Sequence, residues 1–177
     1  MVSILTRRLS SIMSTHHVLK GNQYTGLPQL LTFEPLRIVN ELIQDANEKQ
    51  KELWILSQDL SKAYDRVNIH VLRKAFDRLK IPCDFTDLIL SLFTKRRNRV
   101  FTAVGITDPY DVLIGIDQGE VISPLLWCIY YDPMLCEIES RDLGYNFTVN
   151  YKDNLYNQAF LQKRQHISSL AYMAVDL

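Results

Sequence analysis

Cysteine, glycine and proline are all scarce in this chain of 177 residues, which has three, six and six of them respectively. An odd number of cysteines, with neither CxxC nor His-rich spacing, argues against a disulfide framework and against a zinc site. Nearly half of the residues are apolar and about a quarter are charged, which excludes disordered and collagen-like classes. We therefore expect one globular domain with reduced thiols, typical of an intracellular protein.

Excess charge of one sign and long apolar runs are also missing. Lys and Arg balance Asp and Glu at 20 each, so no overall field favours nucleic acid or a membrane surface. Any basic surface must be local. The best apolar run, "LLWCIYY", is far shorter than the roughly 18 residues of a membrane-spanning helix. The sequence predicts a soluble protein without a membrane partner.

Acidic residues are absent from the first 33 positions, which carry Arg7, Arg8, several serines and apolar residues at helical spacing. An organelle transit peptide has this composition, and so does a surface helix of the fold. The helix is the favoured interpretation, with a cytoplasmic or nuclear location.

The order of apolar patterns predicts a single α+β domain, since strands and helices do not alternate regularly. The predicted helices cover residues 4–19, a segment beginning near Thr32 and Pro35, 68–80 with Asn68 as N-cap, 83–96, and a long helix capped by Ser123. The predicted strands cover residues 53–59, 98–104, 110–115, 145–149 and 167–173.

The stretch "WILSQDLSKAYDRV" is the first that indicates a catalytic or ligand-binding site. It reads as a buried strand ending in Asp59, and a carboxylate at a strand end is a usual ligand for Mg²⁺ beside substrate phosphates. Tyr64, five residues on, would form a wall of that site. The alternative is that Asp59 and Asp65 are solvated turn acids and that Tyr64 is a core residue.

Two further stretches add weaker signals. In "GIDQGEVISPLL", Gln118 stands beside Gly119, where a ligand could approach the backbone closely, although a turn before a helix explains the same residues. In "TKRRNRV", four cations lie together and could contact a phosphate backbone, although they also suit a solvated helix end. These cations are Lys95, Arg96, Arg97 and Arg99.

Together and in this order, the segments resemble the reverse transcriptase domain of non-LTR (LINE-type) retroelements. "LSQDLSKAYDRV" resembles motif A of that family and "GIDQGEVISPLL" resembles motif B. "TRRLSSIMSTHHVLKGNQYTGL" resembles the preceding fingers motif, and "LFTKRRNRVFTAVG" the stretch between A and B. The resemblance runs from about Leu5 to Met173.

The resemblance implies one incomplete reverse transcriptase domain over residues 1–177, built as fingers plus a partial polymerase palm, with the thumb absent. Residues 1–50 would be fingers-like, and residues 51–177 mainly palm with interleaved fingers elements. The implied activity is RNA-directed DNA polymerisation, and the implied partners are an RNA template, a DNA primer and a dNTP. The oligomeric state stays open.

The resemblance also assigns roles to residues. Asp59 would be the catalytic metal ligand, with help from the carbonyl of Leu60, in a two-Mg²⁺ transfer of the nucleotide to a primer 3′-hydroxyl. Tyr64 would be the steric gate against a 2′-hydroxyl. Gln118 and Gly119 would line the incoming nucleotide's site, and the four cations above would contact nucleic acid.

Motif C of the family carries two consecutive aspartates, whereas Ala174 and Val175 stand at those positions here. Asp176 comes one or two residues late. A shift of one residue along a strand would point the Asp176 side chain to the opposite face of the sheet, away from Asp59. A shift of two residues would restore the face but displace the carboxylate by about 6 to 7 Å, whereas a Mg²⁺–oxygen bond is ~2.1 Å long. We therefore expect weak Mg²⁺ binding, no catalysis, and no return strand of the motif C hairpin.

Two alternatives remain open from the sequence. The chain could be a non-catalytic remnant of the same fold that binds nucleic acid or protein, in which case "TKRRNRV" and not Asp59 would govern binding. It could also be an unrelated α+β domain.

Overall fold

The computed structural model describes residues 2–20, 23–24, 26–27, 33–152 and 160–167. Within these residues the fold combines helices with small antiparallel two-stranded sheets, which confirms the α+β class. The α-helices are α1 (Val2–Thr15), α2 (Phe33–Lys49), α3 (Ile69–Arg78), α4 (Cys83–Ser91) and α5 (Ser123–Ser140). The strands are β1 (Arg96–Asn98), β2 (Phe101–Thr102), β3 (Gly105–Ile106), β4 (Tyr110–Val112), β5 (Tyr145–Lys152) and β6 (Phe160–Ile167).

The chain divides into two compact units, and α5 contributes to both. The first unit comprises Met1–Leu19, Gly26–Pro28 and Asp59–Pro133. The second comprises Lys20–Thr25, Gln29–Gln58 and Met134–Leu177. The division into fingers-like residues 1–50 and palm-like residues 51–177 stays a prediction.

The core of the first unit is built from the apolar faces of α1, α3, α4 and the first half of α5. Its buried helical residues are Leu9, Met13, Leu72, Ala75, Phe76, Ile89, Leu90, Leu125, Leu126 and Ile129. Each fully buried large side chain stabilises the fold by about 1.5–3 kcal/mol relative to exposure. This core supports the candidate site.

Helix α3 begins where the sequence predicts. The side chain of Asn68 accepts hydrogen bonds from the backbone N–H groups of His70 (2.9 Å) and Val71 (3.2 Å), which confirms it as the N-cap. The same helix is tied to α5 by an ion pair between Arg78 and Asp132, whose carboxylate is fully buried. A buried carboxylate is costly without a partner, so this pair fixes the approach of the two helices.

The predicted strand at residues 53–59 is wrong. Residues 51–60 have no regular secondary structure, and Trp54 and Leu56 are 90% and 91% exposed. A strand needs a neighbour for its backbone N–H and C=O groups, and the described strands pair only among themselves. An apolar run predicts burial, but it does not identify the partner strand.

Strands β1 to β4 form a nested hairpin. β1 pairs with β4, from Arg96 opposite Val112 to Asn98 opposite Tyr110, and the short pair β2–β3 lies within that loop. The predicted strands 98–104 and 110–115 are thus present in shortened form. β6 occupies part of a polar stretch that the sequence does not mark as strand, and residues 168–173 of the predicted strand 167–173 lie outside the described residues.

In the second unit, β5 and β6 pair along their length, from Tyr145 opposite Ile167 to Lys152 opposite Phe160. The hydroxyl of Tyr145 donates to Asp45 of α2 (2.7 Å), and Lys49 pairs with the same carboxylate. The hydrogen bond from Lys49 lowers the pKa of Asp45, while burial and the bond to Asp45 raise the pKa of Tyr145 to about 12.

Among the helices that the structure describes, all are too short or too polar to cross a membrane.

The Tyr145 phenol predicts a loss of stability at high pH. Because the folded-state pKa is about 12, against 10.0 for an ordinary tyrosine, the unfolded chain releases this proton first. The contribution is complete below pH 10 and disappears as the pH rises through about 12. Urea denaturation between pH 9 and about 12 should show the free energy of unfolding of the native chain falling towards that of Tyr145→Phe. Parallel pH curves for the two proteins would contradict the assignment.

Candidate nucleotide site

The segment that resembles motif A ends in a tight turn. Asp59 and Leu60 lie exposed on the irregular segment, and Lys62 then adopts a left-handed conformation (φ 53°) that reverses the chain. A short 3-10 helix, Tyr64–Arg66, follows and delivers the fully buried Val67 into the core. The turn therefore presents Asp59 to solvent and anchors Tyr64 against the protein.

The loop that resembles motif B is hydrogen-bonded directly to this turn. The N–H of Gly115 donates to the carbonyl of Val67 (2.8 Å), and the N–H of Ile116 donates to the carbonyl of Tyr64 (2.9 Å). Val67 and Ile116 are both buried, so water competes weakly for these bonds. The two motifs, almost 50 residues apart in sequence, thus form one local structure.

Gly115 permits this close approach. Its φ is +90°, and a Cβ built on it would lie 2.8 Å from the carbonyl oxygen of Asp65. Any other residue would combine backbone strain with a clash against main chain. The first glycine of the motif B loop is therefore required by contact with the motif A turn.

The ring of Tyr64 is held by an aromatic cluster on α5. It meets Trp127 edge to face, with ring centroids 6.2 Å apart, and Trp127 stacks on Tyr131 (5.2 Å) and Tyr130 (5.9 Å). Such pairs contribute about 0.5–1.5 kcal/mol beyond their buried area. Burial raises the pKa of Tyr64, so its phenol is neutral at physiological pH.

Gln118 and Gly119 form the exposed turn of the loop. Gly119 also has a left-handed backbone (φ +92°), but a Cβ built on it would meet nothing within 4 Å. The structure thus places open space at Gly119 and puts Gln118 two residues from Ile116, which is bonded to Tyr64. Two residues of chain span at most about 7 Å, so Gln118 lies near the motif A turn.

Ser123 serves the loop as well as the helix. It is fully buried, and its hydroxyl donates to the carbonyl of Asp117 (2.6 Å). The N–H of Leu126 bonds to the carbonyl of Ile122, so Ser123 is the first residue inside α5 and not its N-cap as the sequence predicts. The correction matters because the hydroxyl fixes the end of the motif B loop.

Arg96 differs from the other members of the predicted basic cluster. Its guanidinium pairs with Asp117 and donates to the carbonyl of Gly115 (2.7 Å), and its side chain is 11% exposed. Arg97 forms an exposed pair with Asp111 across the β1–β4 ladder, and Lys95 and Arg99 are exposed. Arg96 is thus engaged by the motif B loop, and nucleic-acid contact by Lys95, Arg96, Arg97 and Arg99 stays a prediction.

The described residues do not fit a metal site. Among them, no three His, Cys, Asp or Glu side chains lie close enough together to hold an ion. Asp59 is exposed, and positions 174 and 175 lie outside the described residues. The assignment of Asp59 as a metal ligand, with Leu60 beside it, stays a prediction.

Sequence reasoning misses two parts of this site, Arg96 as a loop contact and Trp127 as the support of Tyr64. Arg96 and Asp117 are 21 residues apart, so no helical or strand spacing relates them. For Trp127, the α5 apolar run predicts burial alone and does not single out one residue. The sequence gives a hint only for Gly115, because a glycine in a motif often marks a place where two backbone segments approach closely.

Comparisons with known proteins are consistent with this geometry. The family described as reverse transcriptase (RNA-dependent DNA polymerase) matches residues 1–173. The chain is 28% identical over 131 residues to a probable RNA-directed DNA polymerase from transposon X-element of Drosophila melanogaster, covering 74% of this chain and 14% of that protein. It is 26% identical over 138 residues to a retrovirus-related Pol polyprotein from type-1 retrotransposable element R2 of Popillia japonica, covering 77% of this chain and 19% of that protein.

A third relative is the transposon TX1 uncharacterized 149 kDa protein of Xenopus laevis, 24% identical over 140 residues, or 79% of this chain and 11% of that protein. The matched stretch is thus less than a fifth of each of these three relatives. No solved structure matches the chain significantly.

The contact at Gly115 predicts a difference between two glycines of the same loop. Gly115→Ala introduces backbone strain and a clash with Asp65, whereas Gly119→Ala, at nearly the same φ, introduces strain alone. The strain, about 1–3 kcal/mol, is common to both variants. The clash is present in Gly115→Ala alone, and overpacking typically costs about 1–3 kcal/mol, so we expect Gly115→Ala to lower the free energy of unfolding by at least about 1 kcal/mol more than Gly119→Ala. Chemical denaturation of both variants measures this difference. Equal losses would mean that the loop does not approach the turn.

Proposed function

We infer that this chain, which belongs to the reverse transcriptase (RNA-dependent DNA polymerase) family, contains the frame of a nucleotide site. The frame consists of residues 59–67 and 115–119 and would be that of a retrotransposon RNA-directed DNA polymerase. The frame would receive a dNTP beside an RNA template and a DNA primer. We further propose that this chain does not itself catalyse nucleotide transfer.

The observation that carries the proposal is the pair of backbone hydrogen bonds between the two motifs. Gly115 bonds to Val67 and Ile116 bonds to Tyr64, which brings the proposed gate and the proposed nucleotide-lining residues to one place. In an unrelated α+β domain nothing would require these two segments to meet. Their contact therefore supports the interpretation drawn from the family motifs.

Tyr64 would select the sugar. Its ring is half-buried and held edge to face by Trp127, so it would act as a fixed wall against a 2′-hydroxyl. Its neutral phenol would avoid repelling the triphosphate. Gln118 would hydrogen-bond to the nucleotide, and the open space at Gly119 would admit it.

The absence of catalysis is proposed from positions 174 and 175. The family match ends at Met173, and Ala174 and Val175 follow where the family pattern has two aspartates. Neither side chain has a metal-binding atom, so Asp59 would lack the partners that a two-metal displacement requires. Mg²⁺ would then bind weakly.

A non-catalytic nucleic-acid-binding role is the second candidate. Lys95 and Arg99 are exposed, and Phe101, two residues after Arg99 in sequence, is 82% exposed. Cations next to an exposed aromatic ring suit a single strand, because the cations contact phosphates and the ring stacks on a base. Retention of RNA or DNA that is reduced by Lys95→Ala and Arg99→Ala but not by Asp59→Ala would favour this role.

The purified chain is expected not to extend a DNA primer on an RNA template with dNTPs and Mg²⁺. A primer-extension assay with single-nucleotide resolution measures this. Incorporation above background that is abolished by Asp59→Ala would show that the chain is catalytic and that the proposal for positions 174 and 175 is wrong. An active relative of the family is the positive control.

Sugar selection predicts a difference between two variants of Tyr64. Tyr64→Ala removes the ring and should reduce the preference for dATP over ATP on the order of tenfold, equivalent to about 1.4 kcal/mol of steric repulsion. Tyr64→Phe keeps the ring and should keep the preference. Equilibrium titration with each nucleotide measures the two dissociation constants. An unchanged ratio in Tyr64→Ala would exclude Tyr64 as the gate.

A further inference from the structure

Arg96 occupies an unusual position for a residue in a basic cluster. It begins β1, yet its guanidinium lies against the Gly115–Asp117 loop and its side chain is 11% exposed. Nε donates to the carbonyl of Phe93 (3.3 Å), and the guanidinium carbon lies 5.5 Å from the centre of the Phe93 ring. One side of Arg96 is therefore fixed by the turn that follows α4.

The other side of Arg96 is fixed by the motif B loop. Nη1 pairs with the Asp117 carboxylate, and Nη2 donates to the carbonyl of Gly115 (2.7 Å) and, at 3.4 Å, to that of Ile114. The same loop donates its own N–H groups to the motif A turn. The loop thus lies between Arg96 and Tyr64, with hydrogen bonds on both sides.

We propose that Arg96 is a positioning residue of the nucleotide site, which holds the Gly115–Asp117 loop against the Tyr64 turn and so sets the place of Gln118 and Gly119. This inference rests on the proposed function only for the consequence that nucleotide binding depends on it. The residues next to Asp117 in sequence are the ones assigned to the nucleotide, so a shift of the loop displaces both of them.

The chemistry of the contact requires arginine. Four acceptors, three carbonyls and a carboxylate, are met by Nε, Nη1 and Nη2 of one planar guanidinium, whereas the single ammonium of lysine cannot reach all of them in fixed directions. A charge-assisted bond to a mostly buried cation is also stronger than an exposed surface pair. Arg141, whose exposed pair is with Glu137 of α5, provides the contrast.

The test compares Arg96→Gln, Arg96→Lys and, as a control, Arg141→Gln in the full chain. Amide hydrogen exchange of Gly115 and Ile116 reports the bonds to Val67 and Tyr64, and that of Leu72 in α3 reports the core. We expect Arg96→Gln to speed exchange at the two loop amides at least about tenfold and to leave Leu72 unchanged. Arg96→Lys should recover part of this protection, and Arg141→Gln should not alter it.

Titration with dATP in the presence of Mg²⁺ gives the second measurement. The dissociation constant should rise on the order of tenfold in Arg96→Gln, less in Arg96→Lys, and not in Arg141→Gln. If the native chain binds no dATP, the proposed function fails while the exchange measurement still decides the role of Arg96. Unchanged loop exchange in Arg96→Gln, or equal loosening of the loop and Leu72, would overturn the inference.

Discussion

Two backbone hydrogen bonds, from Gly115 to Val67 and from Ile116 to Tyr64, are the constraint on which the candidate site depends. They join segments almost 50 residues apart, and closing a loop of that length has an entropic cost that local contacts must offset. The intervening chain offsets it by building α3, α4 and the β1–β4 hairpin, which pack or pair with their neighbours. The site is thus a product of the folded first unit and not of either motif alone.

The helix α5 links this constraint to the rest of the unit. Leu125, Leu126 and Ile129 are buried in the core, while Trp127, one residue on from Leu126, supports the ring of Tyr64. Successive helix positions differ by about 100° in direction, so one helix serves the core and the site with different faces. A change in core packing would therefore be transmitted to the ring of Tyr64 through α5.

Sequence patterns predict the parts of this structure that depend on local chemistry. The N-cap of Asn68 and the amphipathic α1 follow from short-range rules, whereas the N-cap predicted at Ser123 is one residue too late. The family motifs identify the two segments of the candidate site. The patterns fail where the outcome depends on a distant partner. Residues 53–59 have the composition of a strand but no described strand beside them, and Arg96 looks like a surface cation because Asp117 is remote in sequence.

The forces that hold the frame are separate from the groups that chemistry would need. The frame rests on main-chain hydrogen bonds, an aromatic cluster and the contacts of Arg96, while Asp59 is exposed at the start of the turn. Several carboxylates brought to one place repel one another, so catalytic acids commonly cost stability instead of providing it. The proposed replacement of two acids by Ala174 and Val175 would remove catalytic groups, whereas the contacts that hold the frame together lie at Tyr64, Val67, Arg96, Gly115, Ile116 and Trp127.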